Sequence, residues 1–129
     1  MELKKFTKAD LRIKLESHWK WLGKKSEGER ADLSSADLRF ADLSSADLSS
    51  ADLSYADLRS ANLSSANLDF SAYPLWCGTK NVKLDLKIIY QLCAHICVVD
   101  NDSKEFAEIK EKLMVHALKS HRAHDLGLE

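Results

Sequence analysis

The sequence predicts a short solenoid of turning backbone with α-helices on both sides of it. Residues 31–70 repeat a five-residue word eight times, ADLSS in its commonest form. The segments before and after this repeat carry apolar residues at helical spacing. At 129 residues, the chain has the size of one domain. We therefore expect a single domain over 1–129, with an N-terminal helical cap (1–30), a repeat (31–75) and a C-terminal helical region (76–129).

A period of five fits neither a straight helix nor a straight strand. A helix turns by about 100° per residue, so leucines five apart would never share one face. In a strand, successive leucines would point to opposite sides because five is an odd number. The Asp, Asn and Ser residues at the other positions favour turns. The repeat thus predicts a chain that turns at every word and directs each leucine to a common axis, as in a solenoid.

The unbroken run of A[DN]LSS words resembles the pentapeptide repeat family. The resemblance implies a mainly β solenoid: a right-handed quadrilateral β-helix with one word on each side and four words in each coil. The eight words would then form about two coils, and SAYPL at 71–75 would add a degenerate ninth side. The order of basic helix, repeat and PLWCG segment is similar to that of small bacterial and phage members of the family.

Words four apart would stack in this arrangement at one strand spacing, roughly 4.8 Å. The leucines would then form the structural core as stacked pairs: Leu33, Leu38, Leu43, Leu48, Leu53, Leu58, Leu63 and Leu68. No glycine lies between Arg30 and Gly78. Because positive φ strains other residues, we expect most corners to avoid left-handed backbone.

The segment before the repeat predicts one helix that covers the first coil. Thr7 is a suitable N-cap, and Gly23 with the polar residues after it ends the helix. An apolar stripe would face the coil, formed by Leu11, Leu15, Trp19 and Leu22.

The segment after the repeat predicts a helical hairpin that covers the second coil. Helical spacing runs over 84–99, and Ser103 is the expected N-cap of a second helix that ends near Ser120. The longest apolar run, 88–99, is too short to span a bilayer. With no signal-peptide pattern and an odd number of cysteines, a reduced cytoplasmic protein with no membrane association is expected.

The sequence carries no motif of an enzyme active site. A Gly-rich phosphate loop, G-x-S-x-G and H-E-x-x-H are all missing, so we expect a protein that is not an enzyme and needs no cofactor. Cys93 and Cys97 share a helix face and could bind a metal together with Cys77 or a histidine. They also lie on the apolar stripe of their helix, where a free cysteine packs as a small apolar residue. We interpret them as core residues, with no metal.

Outward-facing residues of the repeat are the candidate binding site. Arginine replaces serine at position four of the second and sixth words, which stack, and aromatic residues replace serine at three corners. The predicted binding residues are Asp37, Arg39, Phe40, Tyr55, Asp57 and Arg59. The alternative is that the aromatic residues pack on the flanking helices and the charges only solvate one side.

These features favour a protein–protein interaction or scaffold module with an unidentified protein partner, and homodimerisation through the C-terminal helices. A second hypothesis comes from the family resemblance: some members imitate duplex DNA with acidic rows and bind type II topoisomerases such as gyrase. The repeat is acidic, with seven acids against two arginines. A third hypothesis is nucleic-acid binding through residues 1–30, which carry nine Lys or Arg. The net charge of −1 favours neither nucleic acid nor membrane.

Overall fold

The computed structural model of the protein describes residues 2–24 and 26–128. Its chain divides into two compact units, Met1–Leu84 and Asp85–Glu129. The first unit contains strand β1 (Lys4–Lys5), helix α1 (Lys8–Leu22), strand β2 (Ala36–Asp37) and a 3₁₀ turn (Cys77–Thr79). The second contains helices α2 (Leu86–Cys97) and α3 (Lys104–Ala117). The sequence predicted one domain and placed the end of the repeat at residue 75, nine residues before this division.

The repeat forms a solenoid in which residues twenty apart pair in parallel. Parallel bridges join Asp32 to Asp52, Asp37 to Asp57 and Asp52 to Ala72. Since each word has five residues, the backbone returns to the same side after four words. The eight word leucines, from Leu33 to Leu68, are between 0% and 9% exposed. The small alanine that opens a word lets the backbone approach this leucine interior closely.

Pairing continues past the predicted end of the repeat. Leu58 N–H donates to the carbonyl of Gly78, and Ser60 N–H donates to that of Lys80. Lys83 then bridges to Asn62, at a spacing of 21 residues instead of 20. The pairing offset thus increases by one residue between Ala72 and Gly78, so the register of the words is broken within this segment. Backbone hydrogen bonds hold these residues on the solenoid although their side chains no longer match the word.

The corners of the repeat have left-handed backbone, so the expectation that they avoid it was wrong. The fifth residue of every word has a φ between 55° and 61°, for example 60° at Ser45 and 61° at Phe40. In each turn, the N–H of the next alanine donates to the carbonyl of the preceding leucine, as Ala36 does to Leu33 at 3.1 Å. A closing bond with positive φ at the third residue is characteristic of a type II turn. The hydrogen bonds of the turn offset the cost of about 1 kcal/mol that left-handed backbone has for a residue with a Cβ.

Helix α1 lies against the first coil, and its contact residue is a histidine. Thr7 caps the helix as predicted, with its hydroxyl accepting from Asp10 N–H at 3.0 Å. His18 is fully buried: its Nδ1 accepts from Ala31 N–H at 3.0 Å, and its Nε2 bonds the carbonyl of Ser49 at 2.9 Å. Trp19, which the sequence placed on the buried stripe, is 61% exposed. The histidine satisfies two backbone groups of the coil that an indole at this position could not both satisfy.

Residues before α1 extend the solenoid by a strand that the sequence did not predict. Strand β1 pairs in parallel with β2, which places Lys4 opposite Ala36 and Lys5 opposite Asp37. Lys4 N–H also donates to the carbonyl of Ser35 at 2.8 Å. Two exposed lysines carry no β-pattern, so only the backbone pairing identifies this strand.

In the second unit, α2 and α3 pack around a small core of Ala94, Cys97 and Ala117. Ser103 caps α3 by accepting from Phe106 N–H at 3.0 Å. Cys97 is buried and its burial raises the pKa of its thiol, which suits a packing role. Among the described residues, no group of three His, Cys, Asp or Glu side chains is arranged to hold a metal ion. Coverage of the second coil by this hairpin stays a prediction.

The chain after α3 folds back on the same core. Gly127 has a φ of 69°, and its N–H donates to the carbonyl of His124 while Leu128 N–H donates to that of Ala123. This pair of bonds is a Schellman motif, and it lets Leu126 and Leu128 pack on the core. Within the described part of the chain, no helix is both long and apolar enough to cross a bilayer.

Candidate functional site

The second residue of each word fixes the turn with its side chain. Asp42 Oδ1 accepts from Ser44 N–H at 3.1 Å and from the Ser44 hydroxyl at 2.6 Å. Asp52 and Ser54 repeat this arrangement at 2.9 and 2.6 Å. These Asx turns explain why each word has Asp or Asn at position two, and why serine suits position four.

Arginine replaces this serine in two stacked words and changes the surface of one side. Arg39 binds Asp37 with Nε to Oδ1 at 2.8 Å and Nη2 to Oδ2 at 2.7 Å. Arg59 binds Asp57 in the same way, with Nε to Oδ1 at 2.9 Å and Nη2 to Oδ2. Arg39 Nε also lies 3.8 Å from Asp57 Oδ2 in the next layer. We call these four residues the arginine side.

The two carboxylates of the arginine side are covered, while the two guanidiniums face solvent. Asp57 is fully buried and the Asp37 side chain is 17% exposed, against 47% for Arg39 and 48% for Arg59. The hydrogen bonds from Arg39 lower the pKa of Asp37 to about 2, and those from Arg59 lower the pKa of Asp57. Both aspartates are therefore ionised at neutral pH, but the accessible charge of this side is positive.

Two lysines lengthen this positive surface. Strand β1 places Lys5 beside Asp37, and the bond from Ser60 N–H to the Lys80 carbonyl places Lys80 beside Ser60. A groove of about 310 Å³ lies at the Lys80 end, lined by Arg39, Phe40, Arg59, Ser60, Lys80 and Asn81. None of its lining residues is acidic. Sequence reasoning missed Lys5 and Lys80 because both lie outside residues 31–70 and reach this side only through backbone pairing.

Two of the corner aromatics border the arginine side. Tyr55 stacks on Ser35 at the corner where the arginine side begins. Phe40 lies at the corner where the arginine side ends. Their exposed fractions are 65% for Tyr55 and 79% for Phe40. Phe70, which is 73% exposed, lies at the corner of Ser50, two sides beyond the corner of Phe40. All three rings are therefore largely exposed. The predicted binding residues thus lie on one side and its two corners, and Phe70 lies outside them.

Asx turns close the words of the repeat around a leucine interior, which defines a repeat protein. Comparison with protein-family models places eight copies of pentapeptide repeats at residues 29–70. The chain therefore carries a stretch of pentapeptide repeats over residues 29–70, as the word pattern indicated. Searches of curated proteins and of solved structures found no match.

Proposed function

We propose that this protein is a non-enzymatic interaction module that binds a partner protein through the arginine side, Phe40 and Tyr55. Its solenoid serves as a rigid platform, a four-sided and right-handed coil of about two turns. The pairing of residues twenty apart supports four sides per turn. Extension of the platform by β1 and by residues 78–83 gives the arginine side more layers than the words alone supply.

The observation that carries this proposal is that other words form the same turn and the same corner with serine. Serine at position four completes the turn, as Ser44 does with a 2.6 Å bond to Asp42. Serine also occupies corners with the same backbone, as at Ser45 with a φ of 60°. Large exposed aromatic and arginine side chains in place of serine add nothing to the leucine interior. Arginine and aromatic residues are enriched in protein–protein interfaces and carry much of their binding energy.

Imitation of DNA has weaker support from the geometry. Asp37 and Asp57 are covered by arginines, and Asn62 and Asn67 interrupt the rows of the two other sides in the second layer. The side with Asp32 and Asp52 keeps two stacked acids, but Lys4 Nζ lies 3.5 Å from Asp32 Oδ2. A row of two carboxylates is short for a surface that must resemble a phosphate backbone.

Nucleic-acid binding through α1 also has weaker support. Several of its cations contact groups of the protein itself: Arg12 lies 3.8 Å from Glu16, and Lys20 lies 3.9 Å from Glu27. Lys14 Nζ lies 5.7 Å from the centre of the Phe6 ring. These charges are distributed around the helix and do not line one groove.

Affinity capture from bacterial lysate tests the proposal with a matched pair of variants. The first is Arg39→Ser with Arg59→Ser, which installs the residue that other words carry and so preserves the turns. The control is Lys104→Gln with Lys112→Gln, which removes two exposed charges from α3. We expect a protein captured by the native chain and by the control but lost with the serine variant. Equal capture by all three would refute the proposal, and recovery of gyrase by all three would favour DNA imitation.

A further inference from the structure

We propose that the partner binds through an extended acidic segment, which is bound by the cations of the arginine side and by the two lysines next to it. This inference rests on the proposed function and names the chemistry of the partner at that site. The cations are Lys5, Arg39, Arg59 and Lys80, and the segment would carry Asp or Glu at alternate positions.

Each arginine keeps one hydrogen-bonding edge for a ligand. The Nε and Nη2 groups of Arg39 hold both oxygens of Asp37, and Arg59 holds Asp57 with the same edge. A guanidinium has five N–H donors, so the edge formed by Nη1 and Nη2 can bind a second carboxylate with two bonds. The aspartates fix the orientation of both guanidiniums, which reduces the entropy lost on binding.

The spacing of the cations matches an extended peptide. Arg39, Arg59 and Lys80 lie opposite one another in three successive layers of parallel backbone, and Lys5 lies in the layer before them, opposite Asp37 and two residues along the strand from Arg39. With roughly 4.8 Å between layers, they span about 14 Å. In an extended peptide, alternate side chains on one face lie about 6.7 Å apart, so three of them span about 13 Å. Three alternate acidic residues can therefore follow the column of cations.

The positive charge of the groove favours a ligand of negative charge. Arg39, Arg59 and Lys80 line it together with Phe40, and no carboxylate lines it. The covered aspartates keep the arginines in place but leave their positive ends outward. The exposed Phe40 ring offers an apolar wall for the methylene groups of a glutamate side chain. A basic segment would be repelled by the exposed guanidiniums, and a neutral segment would form no ion pair with them.

Fluorescence anisotropy with a labelled Glu-Ala-Glu-Ala-Glu peptide tests this inference, with Gln-Ala-Gln-Ala-Gln as the matched probe. We expect the acidic peptide to bind and the glutamine peptide not to bind. Each Arg→Ser change at Arg39 or Arg59 should weaken binding about tenfold, because one bidentate charged pair contributes on the order of 1.4 kcal/mol. Phe70→Ser, a corner change outside the site, should leave affinity unchanged, and Phe40→Ser should weaken it.

Binding should also fall as salt is raised, since these charges lie at the surface. Failure of the acidic peptide to bind the folded native protein would overturn the inference, as would equal binding by the double serine variant. Binding of a labelled oligo-dT strand more tightly than the acidic peptide would also overturn it, because the site would then be a phosphate-binding site. If lysate capture still depends on both arginines while the peptide fails, the interaction function stands and the acidic segment is wrong. If the peptide binds but capture is independent of the arginines, the proposed function fails.

Discussion

Replacement of the buried histidine of α1 should be far more damaging than replacement of the tryptophan beside it. His18 is fully buried and bonds Ala31 N–H and the Ser49 carbonyl at 3.0 and 2.9 Å. In His18→Ala both backbone groups lose their partner, and each unsatisfied group costs about 1–3 kcal/mol. With the lost packing of the ring, we expect the free energy of unfolding to fall by about 3–5 kcal/mol. Trp19→Ala, at a position 61% exposed, should cost about 1 kcal/mol or less.

Urea unfolding followed by tryptophan fluorescence measures this difference in the correct unit. The three tryptophans, at positions 19, 21 and 76, all belong to the unit Met1–Leu84. Their signal therefore reports the solenoid and α1 without contribution from tryptophan in the second unit. His18→Gln should fall between the two, because its amide can still donate to Ser49. A loss below about 1 kcal/mol in His18→Ala would refute the role assigned to the two hydrogen bonds.

Three further predictions follow from the same geometry. Gly28→Ala should cost about 2 kcal/mol in urea unfolding, because the added Cβ would lie 2.1 Å from the backbone nitrogen of Trp21. Ser45→Gly should stabilise the protein by about 0.5 kcal/mol and Ser45→Val should destabilise it by about 1–2 kcal/mol, since φ is 60° there. The free energy of unfolding should fall from about pH 4 to about pH 2, as measured by fluorescence. The pKa of Asp37 is lowered from 3.8 to about 2, so its stabilisation is present above the unfolded value and lost as Asp37 protonates.

Each of these predictions has its own control. Glu27→Ala lies next to Gly28 on the exposed side and should change stability by about 0.5 kcal/mol or less. If valine at position 45 is tolerated as well as glycine, the left-handed corner is not what limits stability. Arg39→Ser should reduce the stability lost between pH 4 and pH 2, since the hydrogen bonds from Arg39 are the main cause of the shift. An unchanged acid profile in that variant would contradict the assignment.

The sequence allowed prediction of features that depend on neighbouring residues. Helix starts at Thr7 and Ser103 follow from side chains that bond backbone N–H groups three residues away. The turn at every word follows from Asp or Asn and serine two residues apart. For these features the partner lies within the same short segment, so a pattern in the sequence is enough.

The corner conformation could not be inferred from the absence of glycine. Left-handed backbone at Ser35 is supported by a bond from its own N–H to the carbonyl of Ser54 at 2.8 Å. It is also supported by the Asx bond of Asp32 to Ser34 at 2.9 Å. The first of these bonds comes from the next layer, nineteen residues away in sequence. Propensity alone gave the wrong sign of φ because it counts the strain and omits the hydrogen bonds of the turn, such as that from Ala36 N–H to the Leu33 carbonyl.

The sequence by itself determined the repeat of turns, the inward leucines and the helices that precede and follow the repeat in the chain, because these depend on periods and caps of a few residues. Only the tertiary structure decided that His18 and not Trp19 meets the coil, and that Lys4 and Lys5 form a strand. It also decided that Asp57 is buried beneath Arg59, leaving a positive side on an acidic repeat. Each of these outcomes depends on which backbone group, layer or charge lies opposite a residue, and the stacking of distant segments sets that.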